Sequence, residues 1–342
     1  MTGTPKKAVV LAGGEGTRLR PLTETIPKPL IPLVDRPFLS HVLDHLAAHG
    51  VEEVLLSSPY LEGRFEEYVA AHRGSPAITW IIETSPLGTA GAVAHAAGEL
   101  KEPFFVLNGD ILTDLDLTAL AAHHRRCGAA ATITLIPVAD ARPYGLVAME
   151  QDGRVVEFRE KPTEAIPGVV NAGTYVLEPE AIAGIPAGAT VSIERETFPD
   201  LIAADRPVFG FVSHGYWMDL GTPEKYLQAT FDALEGRIKG MDYVAPHLDP
   251  SADVSLLAHL GRCVVAGPGA MIGDGAEVED SVLLAGAVVE AGARVRASIL
   301  GPGSTVGRGA HVEGAVLAER ATVPAESVSE GARVGAGQTL EP

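Results

Sequence analysis

Apolar and amphipathic stretches alternate along the first 240 residues of the chain. Short apolar runs predict buried strands at residues 8–11, 53–57, 79–83 and 104–107. Helical spacing of apolar residues predicts helices at 38–49 and 223–239. The alternation indicates an α/β domain in which helices flank a mixed, mostly parallel sheet. Such sheets bind ligands at the carboxyl ends of their strands, so the loops after Leu11, Ile82 and Leu107 are the candidate site.

A different pattern begins beyond Asp242, where glycine, alanine and valine become frequent and apolar or similar residues recur every six positions. The repeated positions are Ile272, Val278 and Leu284, then Leu300, Val306 and Val312, then Val316, Thr322, Val328, Val334 and Leu340. A six-residue repeat is typical of a parallel β-helix, whose stacked coils share one apolar interior. We therefore predict two domains, at residues 1–240 and 246–342.

Composition and charge exclude some classes of function. The net charge of −18 argues against a nucleic-acid-binding protein, which needs lysines and arginines to neutralise phosphates. No stretch approaches the roughly 18 to 20 apolar residues of a membrane span, so we expect no membrane association. Cys127 and Cys263 are too far apart in sequence for a cysteine-based metal motif, and two cysteines make no disulfide framework. We expect a cytoplasmic protein.

A glycine-rich loop follows the first predicted strand. It contains Leu11, Ala12, Gly13, Gly14, Gly16 and Thr17. Exposed backbone N–H groups in such a loop can surround a phosphate chain. The dinucleotide fingerprint fails because Leu19 replaces its third glycine, and no Gly-Lys-Ser/Thr of a P-loop follows. The glycines alone fit a plain turn equally well, but Arg18 and Lys28 add two cations suited to a triphosphate.

These residues carry a resemblance to a known family. The pattern Gly13-Gly14-x-Gly16-Thr17-Arg18-Leu19-x-Pro21-Leu22-Thr23, followed by Pro27-Lys28-Pro29, resembles the sugar-1-phosphate nucleotidyltransferases. The resemblance implies a Rossmann-like, GT-A-like catalytic domain and a C-terminal left-handed β-helix of hexapeptide repeats. It also implies a nucleoside triphosphate and a sugar 1-phosphate as partners. Arg18 and Lys28 are then expected to bind the phosphates, with the glycine loop over the nucleotide.

Two aspartates are candidate ligands of a magnesium ion. Asp110 ends the segment Asn108-Gly109-Asp110, and Asp219 precedes the second predicted helix. Mg²⁺ is commonly held by one or two carboxylates together with substrate phosphates. Each aspartate could instead cap a helix or turn. Both lie in segments that resemble the metal-binding aspartates of the family, with Asn108 and Gly109 beside the nucleotide. We expect Asp114 and Asp116 to be turn and cap residues.

The sugar-binding residues are expected from the resemblance. Glu160-Lys161-Pro162 is similar to the Glu-Lys-Pro motif of the family, which implies that Lys161 binds the phosphate of the sugar 1-phosphate and Glu160 its hydroxyls. The segment from Asn171 to Gly173 resembles the sugar-contacting Asn-Ala-Gly motif. Gly145 resembles a glycine whose backbone approaches the sugar.

Base selection is expected to involve Glu83 and the loop containing Pro86, Gly88 and Thr89. A carboxylate can accept hydrogen bonds from both donors of guanine, whereas the other bases present acceptors to it. The sequence Leu-Gly-Thr-Ala-Gly at 87–91 also resembles the mannose-1-phosphate guanylyltransferase branch. We predict GTP and mannose 1-phosphate as substrates.

Several alternatives stay open. The chain could be a glucose-1-phosphate thymidylyltransferase or uridylyltransferase, or an inactive subunit that senses nucleotide sugars. The β-helix could carry an acyltransferase activity with His259 or His311 as base, although a structural or oligomerising role is favoured. We expect a homo-oligomer, with the β-helix as the candidate contact. His41, His45 and His49 share a helical spacing but lack a carboxylate motif for zinc.

Overall fold

The computed structural model describes residues 3–59 and 63–341, and the chain divides into two compact units. The first unit comprises residues 1–13 and 41–217, and the second comprises residues 14–40 and 218–342. The division runs through the glycine-rich loop, between Gly13 and Gly14, and again between Trp217 and Met218. The predicted domain limits at 240 and 246 stay a prediction.

Strands and helices alternate up to Leu234. The strands are β1 (Lys7–Leu11), β2 (Pro32–Leu33), β3 (Arg36–Pro37), β4 (Glu53–Pro59), β5 (Ala77–Glu83), β6 (Phe104–Asn108), β7 (Ile111–Thr113), β8 (Ala131–Val138), β9 (Gly145–Met149), β10 (Val155–Glu160), β11 (Gly168–Leu177), β12 (Val208–Val212) and β13 (Trp217–Asp219). The α-helices are α1 (Phe38–Ala48), α2 (Arg64–Ala71), α3 (Gly88–Ala97), α4 (Leu117–Cys127), α5 (Phe198–Ala203) and α6 (Pro223–Leu234).

The first unit is built on one mixed sheet, in the strand order β10-β9-β11-β6-β1-β4-β5, to which β8 and β12 add beyond β11. Strands β6, β1, β4 and β5 are parallel to one another, whereas β11 is antiparallel to β6 and β8. In the register of the parallel strands, Leu11 lies opposite both Ser57 and Asn108. The carboxyl ends of these strands therefore meet at one edge of the sheet. The predicted α/β class and its strands are confirmed.

A core of the first unit packs on the face of this sheet that carries Val9 and Tyr175. Val9, Val106, Ile133 and Tyr175 have no exposed surface, and Phe198 of α5 packs edge-on against the ring of Tyr175 at 5.1 Å between centroids. Burying such side chains contributes about 1.5 to 3 kcal/mol each relative to leaving them exposed. This packing makes the sheet a rigid support for the loops at its carboxyl edge.

The C-terminal region is a parallel β-helix. Its strands are β14 (His247–Leu248), β15 (Asp253–Val254), β16 (His259–Leu260), β17 (Val264–Ala266), β18 (Met271–Ile272), β19 (Glu277–Glu279), β20 (Ser281–Leu283), β21 (Val288–Val289), β22 (Arg294–Arg296), β23 (Ile299–Leu300), β24 (Thr305–Val306), β25 (His311–Glu313), β26 (Val316–Leu317), β27 (Thr322–Val323), β28 (Val328–Glu330) and β29 (Arg333–Val334). They stack into parallel sheets that form the sides of the coil. The predicted β-helix is thus confirmed.

Each coil is 17 residues long where the register is regular, as the stacked residues Ile272, Val289, Val306 and Val323 show. In the last run of the six-residue repeat, which begins at Val316, the predicted position of the inward-facing residue was wrong by one residue at Val328. Val328 is 82% exposed, and the residue stacked on Val312 is Ser329. Because side chains alternate across a strand, a slip of one residue moves them to the opposite face.

Helix α6 lies along one outer face of the β-helix. On that face Val265, Val282, Ile299 and Val316 stack in register, and all are at most 1% exposed. Glu224, at the start of α6, pairs with Arg333 (3.6 Å), and Glu235, just after its end, pairs with Arg262 (2.9 Å). A helix of 12 residues is about 18 Å long, close to four coil spacings of about 4.8 Å. The helix therefore spans the stack from one ion pair to the other.

The predicted end of this helix at Lys239 was wrong, because α6 ends at Leu234. Gly236 adopts the left-handed conformation with φ of 70°. The backbone N–H of Arg237 then turns back to the carbonyl oxygen of Asp232. Gly236, and not Gly240 as predicted, therefore ends the helix.

Residues 14–40 pack within the second unit. The hydroxyl of Tyr226 in α6 donates a hydrogen bond of 2.5 Å to the carbonyl oxygen of Pro32. The side chain of Glu24 accepts a hydrogen bond of 3.2 Å from the backbone N–H of Ala336, near the last coil of the β-helix. The loop that carries Arg18 and Lys28 is therefore fixed at its base. None of the helices in the described part of the chain combines the length and apolar character needed to cross a membrane.

Candidate active site

The carboxyl edge of the first unit is closed by backbone hydrogen bonds between its loops. The N–H of Ala12 donates to the carbonyl oxygen of Ser57 (2.7 Å), and the N–H of Gly109 donates to that of Leu11 (2.8 Å). A Cβ on Gly109 would lie 2.6 Å from the carbonyl oxygen of Leu11. The close approach therefore requires glycine. Gly13, the residue after Ala12 in the glycine-rich loop, is exposed.

Glu83 presents a buried carboxylate beside this edge, with only 5% of the residue exposed. The hydroxyl of Ser57 donates a hydrogen bond of 2.8 Å to its Oε1, and the backbone N–H of Leu87 donates one of 3.4 Å to its Oε2. A carboxylate can accept about four hydrogen bonds. Each oxygen therefore keeps capacity for another donor.

The loop from Pro86 to Thr89 packs against residues 189–194. Gly88 has a φ of +67°, and a Cβ there would lie 2.6 Å from the carbonyl oxygen of Val191. The hydroxyl of Thr89 donates a hydrogen bond of 2.8 Å to Oε2 of Glu194. The side chain of Thr190 bonds the carbonyl oxygen of Pro86 (2.9 Å). This loop is held at several points, which gives it a defined position.

Gly145 and Glu160 lie opposite each other on β9 and β10. A Cβ on Gly145 would lie 2.7 Å from the ring of Phe158 and 2.9 Å from Oε2 of Glu160, so a side chain here would displace the ring or the carboxylate. Lys161 follows with a φ of 47°, and its backbone N–H bonds the carbonyl oxygen of Tyr144 (3.0 Å). Left-handed residues other than glycine are uncommon and cluster at functional sites. Its side chain is 60% exposed, with Nζ 3.7 Å from Oε1 of Glu160.

Asn171, Gly173 and Asn108 are neighbours. Oδ1 of Asn171 accepts the backbone N–H of Gly173 (3.0 Å), whose φ is +71°. A Cβ on Gly173 would lie 2.7 Å from Nδ2 of Asn108. Oδ1 of Asn108 is buried and accepts no hydrogen bond from any described residue. Asp110 is half-buried in the turn that follows Asn108. The predicted residues of this unit thus form two groups, one around Glu83 and one around Asn171.

In the second unit the glycine-rich loop continues into a 3₁₀ turn at Thr17–Leu19. Gly16 has a φ of +58°, and a Cβ there would lie 2.8 Å from a methyl group of Thr23. The hydroxyl of Thr23 donates a hydrogen bond of 2.9 Å to the carbonyl oxygen of Gly16. Lys28, in the next turn, is half-buried, whereas Arg18 is exposed. The glycine is therefore required by both the conformation and the space of the loop. Gly14 is exposed as well.

The side chains of Arg18 and Asp219 both lie beside Gly221. A Cβ on Gly221 would lie 2.6 Å from Nη2 of Arg18 and 2.9 Å from Oδ1 of Asp219. Nζ of Lys225 lies 3.2 Å from Oδ2 of Asp219. Oδ1 is buried and accepts no hydrogen bond within the described residues. A buried carboxylate oxygen without a donor is suited to a hard cation such as Mg²⁺, so Asp219 fits the metal-binding role.

The remaining polar residues that the sequence singled out have structural surroundings. Asp116 caps α4 by accepting the N–H of Ala119 (2.8 Å), and Asp114 accepts the N–H of Tyr216 (2.7 Å). The predicted role of Asp116 as a cap is confirmed. Asp114 is not a local turn residue but joins the end of β7 to the segment before β13. Burial lowers the pKa of His45 to about 4, and its ring contacts that of His49, with 5.0 Å between centroids. His41 is buried, and His259 and His311 are exposed on one face of the β-helix.

Sequence reasoning did not identify Ser57, Tyr175 or Lys225. Ser57 and Ser58 are buried hydroxyl residues at the end of an apolar strand. Two polar residues in an apolar run are unusual and could have indicated a functional position. Tyr175 lies four residues after Asn171, inside a strand that reads as plain core. Lys225 is in the first turn of α6, where a cation opposes the helix dipole, and this unfavourable position is itself a hint of a nearby carboxylate.

Comparisons with known proteins agree with these features. The family model described as nucleotidyl transferase matches residues 7–236, and the one described as GMPPB C-terminal domain matches residues 245–341. The mannose-1-phosphate guanylyltransferase of Mycobacterium tuberculosis is 40% identical over 297 residues, which cover 85% of this chain and 81% of the relative. Mannose-1-phosphate guanylyltransferase 1 of Arabidopsis thaliana is 37% identical over 300 residues, covering 85% and 82%.

Solved structures are similar over about two thirds of the chain. HddC from Yersinia pseudotuberculosis superposes with a TM-score of 0.59 at 30% identity, covering 66% of this chain and 98% of that protein. A second structure of HddC, complexed with GMP-PN, gives a TM-score of 0.57 at 31% identity.

Proposed function

The chain belongs to the nucleotidyl transferase family, and on that premise we propose that it transfers GMP from GTP to mannose 1-phosphate, giving GDP-mannose and pyrophosphate. Relatives named mannose-1-phosphate guanylyltransferase share 36 to 40% of residues with it over about 85% of the chain. The match to a GMPPB C-terminal domain at residues 245–341 supports the same branch of the family.

One observation carries the choice of GTP, namely the surroundings of Glu83. Its buried carboxylate accepts two hydrogen bonds from the protein and has capacity for about two more. The edge of guanine offers two adjacent donors, the ring N–H and the amino group. Adenine presents a ring acceptor, and uracil and thymine present one donor between two carbonyl oxygens, so each repels the carboxylate. The acceptor capacity of Glu83 supports guanine.

The triphosphate is proposed to bind the glycine-rich loop, Arg18 and Lys28. Backbone N–H groups of such loops bind phosphate oxygens, and glycine leaves them accessible. A guanidinium binds phosphate oxygens in pairs, while an ammonium group follows the charge as it moves during the reaction. The loop is fixed at its base by Tyr226 and Glu24, so it needs little ordering when nucleotide binds.

The family is generally metal-dependent, and we propose Mg²⁺ as the ion. Asp219 and Asp110 would hold it, since the buried Oδ1 of Asp219 has no donor within the described residues. Lys225 orients Asp219 through its other oxygen. A bound magnesium ion would offset negative charge on the phosphates of GTP.

Mannose 1-phosphate is proposed to bind at the second group of the first unit. The exposed ammonium of Lys161 would pair with its phosphate, while Glu160 and Asn171 would bind hydroxyls of the sugar. The left-handed backbone of Lys161 supports this role, because a strained residue persists where function requires its side-chain direction.

The proposed reaction is a single in-line displacement. A phosphate oxygen of mannose 1-phosphate forms a bond to the α-phosphorus of GTP, and the bond from that phosphorus to the oxygen bridging to the β-phosphorus breaks. Pyrophosphate leaves with the bonding electrons. A phosphate monoester has its second pKa near ~6, so the nucleophile is largely ionised at neutral pH and needs no general base. The protein contributes position and positive charge.

The test is a matrix of GTP, ATP, UTP, CTP and dTTP against mannose 1-phosphate and glucose 1-phosphate, followed by pyrophosphate release in Mg²⁺. We expect the highest kcat/KM for GTP with mannose 1-phosphate. Preference for dTTP or UTP with glucose 1-phosphate would replace this proposal with the thymidylyl or uridylyl alternative. Tight binding of GDP-mannose without turnover of any pair would favour a regulatory subunit.

A homo-oligomer assembled through the β-helix and a cytoplasmic location are kept as proposals. Two free cysteines, Cys127 and Cys263, support a reducing compartment. Light scattering of the full chain measures the oligomeric state, and fractionation of the source cells measures the location. A monomer in scattering, or recovery outside the cytoplasm, would contradict them.

A further inference from the structure

Tyr175 lies at the centre of a chain of hydrogen bonds in the first unit. Its hydroxyl accepts a hydrogen bond of 2.7 Å from Nδ2 of Asn171 and donates one of 3.5 Å to Oε1 of Glu194. The residue has no exposed surface. Burial, and next the charge of Glu194, raise the pKa of Tyr175 well above its usual range. The hydroxyl therefore stays protonated and can serve as donor and acceptor at once.

Glu194 extends the chain to the proposed nucleotide loop. Its Oε2 accepts hydrogen bonds from the hydroxyls of Thr89 (2.8 Å) and Ser192 (3.0 Å). Thr89 in turn accepts the backbone N–H of Ile193 at 2.7 Å. The segment Ile193–Thr197 forms a π-helical turn, a rare conformation that is frequent at functional sites. One carboxylate therefore contacts both the nucleotide loop and the buried tyrosine.

Asn171 ends the chain at the proposed sugar site. The register of β11 shifts between Asn171 and Tyr175, so the two side chains meet across an irregular stretch of the strand. Oδ1 of Asn171 is occupied by the backbone N–H of Gly173. The amide has two N–H groups, and one of them is bound to Tyr175. Its orientation is thus determined by Tyr175 on one side and Gly173 on the other.

We propose that Tyr175 and Glu194 are positioning residues that orient the Asn171 amide for the sugar 1-phosphate, and that Thr89 links this orientation to the nucleotide loop. The identity of the sugar rests on the proposed function. A nucleotide that holds Thr89 against Glu194 favours the orientation of Asn171 that binds the sugar. Because coupling between two binding events is reciprocal, bound sugar 1-phosphate favours the nucleotide to the same extent.

The inference is tested with the full chain carrying Tyr175→Phe, Thr89→Val or both. Tyr175→Phe removes the hydroxyl and keeps the ring, so we expect KM for mannose 1-phosphate to rise about tenfold, the effect of one lost hydrogen bond. The dissociation constant of GTP measured without sugar 1-phosphate stays within about twofold in this variant, because no proposed nucleotide ligand is removed and the coupling acts only when both substrates are bound. The double variant has a KM for mannose 1-phosphate close to that of the worse single variant, since both changes break one chain.

Thr132→Val is the matched control. Thr132 is as buried as Tyr175, and its hydroxyl lies 2.8 Å from Nδ1 of His124. It stands on β8 next in sequence to Ile133, which pairs with Tyr175, so its side chain points to the opposite face of the sheet. The control loses a buried hydrogen bond without touching the chain, and the KM for mannose 1-phosphate and the dissociation constant of GTP are expected to stay within about twofold of wild type.

A second readout does not depend on activity. Amide hydrogen exchange at Gly173 reports whether Asn171 still accepts its N–H. We expect exchange there to quicken several-fold in Tyr175→Phe and in Thr89→Val, and to be unchanged in Thr132→Val. The inference is overturned, and the proposed function is left standing, if Tyr175→Phe exchanges at Gly173 as the wild type does. The same holds if the wild type is active and Tyr175→Phe has an unchanged KM for mannose 1-phosphate. A wild type that releases no pyrophosphate from GTP and mannose 1-phosphate overturns the proposed function, and the exchange at Gly173 then decides the inference.

Discussion

The hydroxyl of Ser57 donates a 2.8 Å hydrogen bond to the buried carboxylate of Glu83, across the neighbouring strands β4 and β5. Ser57 has no exposed surface, and its own carbonyl oxygen accepts the N–H of Ala12 at the start of the glycine-rich loop. The residue thus fixes one rotamer of Glu83 and one end of the loop. In the proposed reaction, this contact determines how the carboxylate meets guanine.

Ser57→Ala is expected to weaken selection for the amino group of guanine. ITP lacks that group, so the wild type should prefer GTP over ITP by about 10- to 100-fold in kcat/KM, the value of one hydrogen bond to a charged acceptor. Without Ser57 the carboxylate can rotate, and the preference should fall several-fold. Ser58→Ala is the control, since Ser58 is equally buried but accepts the indole N–H of Trp80. An unchanged GTP to ITP ratio in Ser57→Ala would argue against Glu83 as the residue that reads the base.

Asp219→Asn is expected to reduce turnover by about 100-fold or more, because an amide is a much weaker Mg²⁺ ligand than a carboxylate. The concentration of Mg²⁺ needed for half-maximal rate should rise at the same time. A magnesium titration of pyrophosphate release measures both effects. Asp152→Asn, on an exposed turn, is the control. A lower rate with an unaltered magnesium requirement would show that Asp219 acts in some other way.

Arg18→Lys keeps the positive charge but removes the forked guanidinium. We expect kcat/KM for GTP to fall by about 10- to 100-fold, because one ammonium group replaces two parallel hydrogen bonds to phosphate oxygens. Arg20→Lys in the same loop is the control, since Arg20 is 55% exposed and pairs with Glu15 at 3.6 Å. Equal losses in the two variants would mean that the loop needs charge in general and not the fork of Arg18.

His124 is expected to make stability depend on pH. Burial, followed by the charges of His123 and Arg125, lowers the pKa of His124 to about 4. In the unfolded chain the imidazole has its ordinary pKa near ~6.5. The unfolded state therefore binds more protons between these values, and stability present above pH 6.5 is lost as pH falls towards 4.

The size of this contribution can be measured by urea denaturation. Between pH 7 and pH 5 it amounts to about 2 kcal/mol of unfolding free energy. His124→Gln should reduce the loss between these pH values by about that amount, whereas His214→Gln, at an exposed position, should leave it unchanged. The same pH dependence in His124→Gln and wild type would contradict the assignment.

The sequence was sufficient for the type and order of the main elements. The strands that end at Leu11 and Asn108 and the helix that begins at Phe38 were readable because their apolar patterns match one structural period. The six-residue repeat also revealed the β-helix. The repeat assigned the inward position to Val328, whereas the residue that stacks on Val312 is its neighbour Ser329. The turn before this strand shifts the register by one residue, and a turn carries no apolar pattern from which the shift could be predicted.

The site could be predicted in parts. The motifs predicted Glu83, Lys161 and Asp219 as candidates, because their segments combine glycines and charges in a specific order. The residues that orient them could not be found in this way. Ser57 and Tyr175 are polar groups inside apolar strands, and their partners lie 26 and 19 residues away in sequence, at distances fixed only by tertiary packing. Contacts of that kind need the folded chain.

The most direct test of the central claim is the exchange of labelled pyrophosphate into GTP, measured with and without GDP-mannose. A single displacement predicts exchange only when GDP-mannose is present, because pyrophosphate must attack its α-phosphorus to regenerate GTP and mannose 1-phosphate. Exchange in the absence of any sugar nucleotide would reveal a covalent nucleotidyl-enzyme and contradict direct transfer. No exchange in either condition would contradict the assignment of GTP and mannose 1-phosphate as substrates.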